Sequence, residues 1–304
     1  MSSVLEILFM IIHAIQFIMG ILGNGFIVLV NTTDWIRSWK ISLIDFILTC
    51  LAISRICLLC VIILFIYLNI HEKMLHCKTI VVVSFEILWI VSNYFCTVCT
   101  TCLSVFYFLK IANCSNPIVL WMKRRIHRVL IIFFLGFTLC FFICFLLKET
   151  LINKLLEDQV TMEGNLTCIS IRNIHAFFIS QILPGMVFFF LFVVSLAAFL
   201  LLIFSLWSHT RRMKLQGMCS REPGKEAHIR AIKLMISFLL LFVLYYLSSV
   251  LTAVTYGIPD NAVAKMFTNV LMFFYPSVHS FALISWNNKL KQASFCILRK
   301  LKCA

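Results

Sequence analysis

The stretch FISQILPGMVFFFLFVVSLAAFLLLIFSLW, from Phe178 to Trp207, contains no Asp, Glu, Lys or Arg. A helix needs about 20 consecutive, predominantly apolar residues to cross a hydrocarbon core of ~30 Å. The stretch is therefore long enough to span a membrane, and a water-soluble fold could not easily bury it.

Six more apolar runs recur along the chain. Open sheet edges cannot face lipid, and the runs lack the ten-residue alternation of a membrane barrel, so each is expected to be a helix. We therefore expect an all-α fold, a seven-transmembrane helix bundle that forms a single domain over residues 1–304 with a short tail. The predicted helices span residues 7–30, 42–68, 80–109, 129–147, 178–207, 231–256 and 263–286, and the tail spans 287–304.

The composition agrees with a membrane protein. The 304 residues are 62% hydrophobic and 12% charged, whereas an ordinary soluble domain has roughly 25% charged residues. The net charge of +14 does not indicate nucleic acid, because the basic residues lie in the short gaps between apolar runs and not on a soluble face with aromatics. The expected surroundings are a lipid bilayer.

The basic residues also predict the orientation. Of the 26 Lys and Arg residues, 19 lie in the gaps after the first, third and fifth runs or in the tail, six lie in the other gaps, and Arg55 lies inside a run. Lys and Arg accumulate on the cytoplasmic side of membrane proteins. We expect the N-terminus outside and the C-terminus in the cytoplasm.

The 14 cysteines lie mostly inside the apolar runs. A metal-like spacing occurs at Cys96, Cys99 and Cys102, but a thiol in an apolar helix is more often a buried structural residue than a ligand. We expect no metal, no cofactor and no enzymatic activity.

Arg55 lies ten residues beyond Asp45 in the second predicted helix, about 15 Å further along at 1.5 Å per residue. An ionised group inside hydrocarbon is costly unless it is paired or faces a cavity. Asn24 and backbone carbonyls of the seventh helix are plausible partners. Arg55 therefore indicates a polar core, which is either a static brace between helices or a switch.

Polar residues on the third predicted helix recur at steps of three and four, so they share one face that must point into the bundle. This face is either a ligand pocket open to the outside or a set of hydrogen bonds between helices. Its members are Glu86, Trp89, Asn93, Thr97, Thr100 and Ser104.

Two more helices carry similar patterns. The sixth aligns Tyr246 with Ser249, and the seventh carries Lys265, Asn269, Met272, Pro276 and His279, with Ser280 next to His279. A proline inside a helix frees a carbonyl and kinks the helix. His279 is either a satisfied interior histidine or part of the polar core.

Nine short motifs follow one another at the helix ends and in the helices. They are GILGNGFI (20–27), LAISRI (51–56), CLSVFYFLKIA (102–112), WMKRRI (121–126), SLWSHT (205–210), EAHIRAIK (226–233), YY (245–246), PSVHS (276–280) and NKL (288–290). Because these motifs occur in this order, the chain resembles the type 2 bitter taste receptor family over essentially its whole length. Gln16 stands where the family commonly has glutamate, and REPGK (221–225) replaces the usual Arg-Asp-Pro-Ser-Thr.

The resemblance implies a G-protein-coupled receptor of the plasma membrane that binds small bitter compounds in an outward-facing pocket. It also implies activation of a heterotrimeric G protein of the gustducin type. Trp89 and Asn93, faced by Asn269 and Met272, would line the pocket. From their positions we add Glu86, Lys265 and Ser249 to this ligand-binding set.

The resemblance further implies that Asn24 and Arg55 belong to an activation core and that residues at the helix ends face the G protein. The expected core, extended by position, is Asn24, Arg55, Tyr246, Pro276, His279 and Ser280. The expected G-protein-facing residues are Tyr107, Lys110, His209 and Lys233.

Two other classes of protein compete with this interpretation. A pheromone receptor of the type 1 vomeronasal kind should carry other helix-end motifs. A small transporter should show inverted repeats and matching broken helices, and neither is evident in the seven unequal runs. An agonist screen separates the two receptor classes, and an uptake assay tests for transport.

Topology gives the first testable prediction. Three glycosylation sequons begin at Asn31, Asn113 and Asn165, and the orientation expected from the basic residues places only Asn165 outside, where glycosylation occurs. We expect Asn165→Gln to abolish the mobility shift that a glycosidase produces. A shift that survives this substitution would contradict the orientation.

Overall fold

The computed structural model describes residues 3–70, 78–112, 116–161, 166–215, 223–257 and 262–303. These ranges contain nine helices and no strands. The helices are α1 (Ser3–Ser38), α2 (Leu43–Ile70), α3 (Lys78–Ile111), α4 (Pro117–Arg124), α5 (Ile126–Thr161), α6 (Leu166–Leu215), α7 (Pro223–Gly257), α8 (Ala262–Trp286) and α9 (Asn288–Cys303).

Seven of these helices are long and apolar enough to cross a membrane, which confirms the predicted all-α fold with seven transmembrane helices. They are α1, α2, α3, α5, α6, α7 and α8. The spans cover Ile7–Ser38, Leu43–Leu64, Ser84–Ile111, Ile126–Leu151, Pro184–Ser208, Met235–Thr252 and Val263–Trp286.

Helix α3 occupies the centre of the bundle. In an apolar stretch of 18 residues within its span, 78% of the residues are buried inside the protein, compared with 11% in the corresponding stretch of α5. It packs against α2, α5 and α6, while α1 packs between α2 and α8, and α7 packs against α6 and α8. The polar face of α3 therefore lies inside the bundle and not against lipid. We call the end of the bundle that carries Ser38, Leu43, Ile111 and α9 the tail end.

The helices extend further than the apolar runs predicted. The segment expected as a loop between residues 147 and 178 is largely helical, because α5 continues to Thr161 and α6 begins at Leu166. An apolar run marks only the part of a helix that lies in hydrocarbon. The continuation of α5 is rich in Leu, Lys and Glu, which are good helix formers outside the membrane as well.

Two shorter helices lie at the tail end. Helix α4 begins after Asn116, whose side chain accepts a hydrogen bond of 2.9 Å from the amide of Ile118, and Pro117 occupies its first position. Both are typical N-terminal signals. The tail forms α9, in which Phe295 and Ile297 are exposed.

Helix α1 approaches α8 closely at two glycines. A Cβ atom added to Gly20 would lie 3.0 Å from Oγ of Ser277, and one added to Gly23 would lie 2.3 Å from Oγ of Ser280. Small residues let membrane helices pack at short distance. The close approach positions Asn24, the next residue along α1, beside the backbone of α8.

The close approach predicts that Gly23→Ala destabilises the protein, while Gly25→Ala does not. The added methyl group at position 23 would overlap Ser280, and overpacking typically costs about 1–3 kcal/mol, whereas Gly25 has open space around it. Thermal unfolding of the purified proteins and surface labelling would measure the difference. Adding Ser280→Ala to Gly23→Ala should restore part of the loss, and equal stability of the two glycine variants would contradict the packing.

Candidate functional site

Arg55 is the largest polar side chain that is fully buried in the described ranges. Its Nη1 lies 3.0 Å from Nδ1 of His279, and its Nη2 donates a hydrogen bond of 3.0 Å to Oη of Tyr275. The guanidinium also lies over the Tyr275 ring, 4.9 Å from its centroid. Oη of Tyr275 lies 3.2 Å from Oγ1 of Thr100 on α3. We call Arg55, Thr100, Tyr275 and His279 the Arg55 cluster.

The donors and acceptors of the cluster can be assigned from its hydrogen bonds. Thr100 donates its proton to the carbonyl of Cys96 at 2.8 Å, so Tyr275 must donate to Thr100 and accept from Arg55. Because a guanidinium can only donate, Nδ1 of His279 must be the acceptor, and its imidazole is neutral with the proton on Nε2. Every acceptor that Arg55 contacts is therefore uncharged.

The partners of Arg55 differ from the expected ones. Asn24 donates to the carbonyls of Gly20 at 2.8 Å and Pro276 at 3.0 Å, which uses both protons of its amide. Asn24 consequently links α1 to α8 and makes no hydrogen bond with the guanidinium, which binds side chains of α8 instead of its carbonyls. Ser280 is also fully buried and donates to the carbonyl of Ser277.

Tyr246 lies outside the cluster, contrary to expectation. Its ring stacks on Phe192 of α6 at 4.0 Å. The inward position belongs to Tyr245, whose ring stacks on Tyr275 at 4.7 Å and whose hydroxyl donates to Oδ1 of Asn93. Adjacent helical residues point about 100° apart, so the two tyrosines cannot both face the core. The buried positions of α7 recur as Met235, Phe238, Phe242, Tyr245 and Ser248, a spacing that could have identified Tyr245.

The central residues of the expected pocket are well packed. Trp89 is half-buried against the small apolar cluster of Leu58, Leu59, Ile62 and Phe273. Asn93 is buried and held by Tyr245. These contacts bring α2, α3, α7 and α8 together around the inward face of α3.

The other expected pocket residues differ in their surroundings. Met272 is buried in the core, whereas Lys265 and Asn269 are half-buried. Ser249 donates to the carbonyl of Tyr245 within α7 at 3.0 Å. Met272 and Ser249 therefore contribute to packing in the described structure.

Glu86 forms an ion pair that the sequence did not predict. Its Oε1 accepts a hydrogen bond of 2.8 Å from Nζ of Lys148 on α5, and the Lys148 side chain is 3% exposed compared with 40% for Glu86. Lys148 directly follows an apolar run and was assigned to a loop, which is why it was missed. Glu86 is therefore neutralised within the bundle, while one side of it stays accessible.

The residues expected to face a G protein lie at the tail end. The Tyr107 ring packs against Trp286 at 4.7 Å, and Lys110 is exposed with Nζ over the Phe106 ring at 5.3 Å. His209 and Lys233 lie in α6 and α7, but their side chains are outside the described part of the structure, as is Asn165.

Lys289 of α9 is a further residue that sequence reasoning missed. Its Nζ lies 2.8 Å from Oδ2 of Asp34 at the end of α1 and 3.2 Å from Oδ2 of Asp45 at the start of α2. Burial alone would lower the pKa of Lys289, but the hydrogen bonds and charges of Asp34 and Asp45 raise it. Lys289 thus joins α9 to α1 and α2 at the tail end.

Comparison with known proteins agrees with this architecture. A family model described as "Taste receptor protein (TAS2R)" matches residues 1–302. Taste receptor type 2 member 7 of Papio hamadryas is 41% identical over 93% of this chain and 90% of its own length. Member 8 of Pongo pygmaeus is 41% identical over 99% of this chain and 98% of its own. Member 10 of Pongo pygmaeus is 39% identical over 100% of this chain and 96% of its own length.

These matches cover all seven spans, and they favour the taste-receptor resemblance over the pheromone-receptor and transporter alternatives. The family is one of receptors and not of enzymes. The chain is a multi-pass membrane protein that belongs to the type 2 family of bitter taste receptors.

Proposed function

We propose that this receptor binds small amphipathic bitter compounds in a cavity between α3, α7 and α8 and activates a heterotrimeric G protein of the gustducin type. The cavity opens to the outside of the plasma membrane, and the tail end faces the cytoplasm. The unequal distribution of Lys and Arg supports this orientation.

The composition of the proposed pocket suits such ligands. Trp89 offers a flat apolar wall with one N–H donor, Asn93 an amide, and Glu86 a partly accessible carboxylate beside Lys148. Ligand sites are mostly apolar and contain a few placed polar groups. Because Lys148 already neutralises Glu86, the pocket does not require a cationic ligand.

One chain of contacts carries the proposal, because it connects the pocket with the buried charge. Asn93 accepts a hydrogen bond from Tyr245, the Tyr245 ring stacks on Tyr275, and Tyr275 accepts a hydrogen bond from Arg55. A ligand that contacts Asn93 or shifts α7 would therefore act directly on the Arg55 cluster.

Activation is a shift of population and involves no bond made or broken. An agonist that binds the active arrangement of α3, α7 and α8 more tightly than the resting one favours the active arrangement. The Arg55 cluster joins α2, α3 and α8 through directional hydrogen bonds. Such bonds are either formed or broken, so the cluster has few arrangements between the resting and the active one. Its rearrangement would move the tail end, where Tyr107 and Lys110 face the G protein.

The pocket is tested by Trp89→Ala and Asn93→Ala. Removing one good contact typically costs about 1–3 kcal/mol, so we expect the agonist concentration for half-maximal response to rise roughly 5- to 150-fold. Surface expression should remain near normal. Calcium dose-response curves and cell-surface labelling of the same transfected cells provide both measurements.

Tyr245→Phe is the matched control, because it removes the Asn93–Tyr245 hydrogen bond but keeps the Asn93 amide in place. If Asn93 contacts the ligand, Asn93→Ala reduces potency much more than Tyr245→Phe. Equal reductions in expression with unchanged potency for several unrelated agonists would instead assign Asn93 to the packing of α3 against α7.

The activation core is tested by Arg55→Leu and Arg55→Lys. Arg55→Leu leaves Tyr275 and His279 without their donor, so we expect loss of signalling or of surface expression for every agonist alike. Arg55→Lys keeps the charge, but an ammonium group lacks the planar pair of nitrogens with which the guanidinium bonds Tyr275 and His279 together. We expect this variant to retain a partial response. Loss of the response to one agonist and normal responses to others would make Arg55 a ligand contact.

A further inference from the structure

Within the part of the chain that the structure describes, the positive charge of Arg55 has no acidic partner. In the described ranges, the ion pairs are those of Lys148 with Glu86 and Glu149 and of Lys289 with Asp34 and Asp45. The partners of Arg55 are the neutral Tyr275 and His279, together with the thiol of Cys96. The nearest described acidic residue along α2, Asp45, is ten residues away and already bound to Lys289.

One nitrogen of the guanidinium, Nε, makes no hydrogen bond. Nε of Arg55 is buried and has no hydrogen-bond partner, whereas both Nη atoms do. A guanidinium has five N–H donors in a fixed fork and cannot give up its proton in a protein. A buried charge of this kind needs stabilisation from its surroundings.

From these observations we infer that a small monovalent anion, with chloride as the representative species, binds beside Nε of Arg55. The charge of a single arginine matches one negative charge, and a divalent ion would leave an excess. The side chains of Cys96, Thr100, Tyr275 and His279 are all buried, so we propose a monatomic halide and not a bulky organic anion.

The anion would neutralise the core and hold the guanidinium between α2 and α8. The inference does not depend on the agonist pocket or on coupling, because it concerns the stability of the bundle itself.

The test is thermal unfolding of the purified full-length receptor in detergent, dialysed into potassium chloride or potassium gluconate at equal ionic strength. A ligand that binds the folded state stabilises it by mass action. We expect the melting temperature in chloride to exceed that in gluconate by about 2–6 °C and to saturate with chloride concentration, with bromide replacing chloride. Equal melting temperatures at all concentrations would overturn the anion site and leave water as the partner of Nε.

Two variants separate a specific site from general salt effects. His279→Asp puts a carboxylate within reach of Arg55 and supplies a built-in counter-charge, whereas His279→Asn offers an uncharged oxygen of similar reach. We expect the chloride dependence to disappear in His279→Asp and to persist in His279→Asn. Equal dependence in both variants would overturn the site, and if neither folds, the titration of the unsubstituted receptor decides alone.

Discussion

Inside a bilayer, every polar group must find its partner within the protein, since the hydrocarbon offers none. This constraint determines where the polar residues of the receptor lie. Hydroxyl groups of α3 bond to carbonyls of their own helix, as Thr97 does to Asn93 and Thr101 to Thr97. Charged groups are harder to accommodate, and Arg55 and Lys148 each recruit partners from another helix. The helices are held in register largely by these few connections.

Helix α8 receives most of these connections. Asn24 reaches the carbonyl of Pro276 from α1, Arg55 reaches Tyr275 and His279 from α2, and Tyr245 stacks on Tyr275 from α7. Three helices therefore meet on one turn and a half of α8. A small rotation of this segment would alter all of the contacts together, as the proposed switch between two arrangements requires.

The helices and the buried arginine could be predicted because they depend on a one-dimensional property, the order of apolar and charged residues along the chain. Arg55 is conspicuous in an apolar run whatever surrounds it. Its partners were not predictable in the same way, because the choice between Asn24 and Tyr275 depends on the rotation of each helix about its axis. The same limit explains Tyr246, which differs from Tyr245 by one residue. Lys148 and Lys289 were missed because their acidic partners come from distant parts of the chain.

The contacts between α1 and α8 also have a consequence for biosynthesis. Asn24 and Pro276 are 252 residues apart, and Gln16 and Ser277 are 261 apart. At about 5–20 residues per second, on the order of 12–50 s passes between synthesis of the first helix and of its partner. During that interval Asn24 and Gly23 lack their contacts with α8, although α1 can already pack against α2. The side of the first helix that packs against α8 therefore stays incomplete in the membrane until the last transmembrane helix is made.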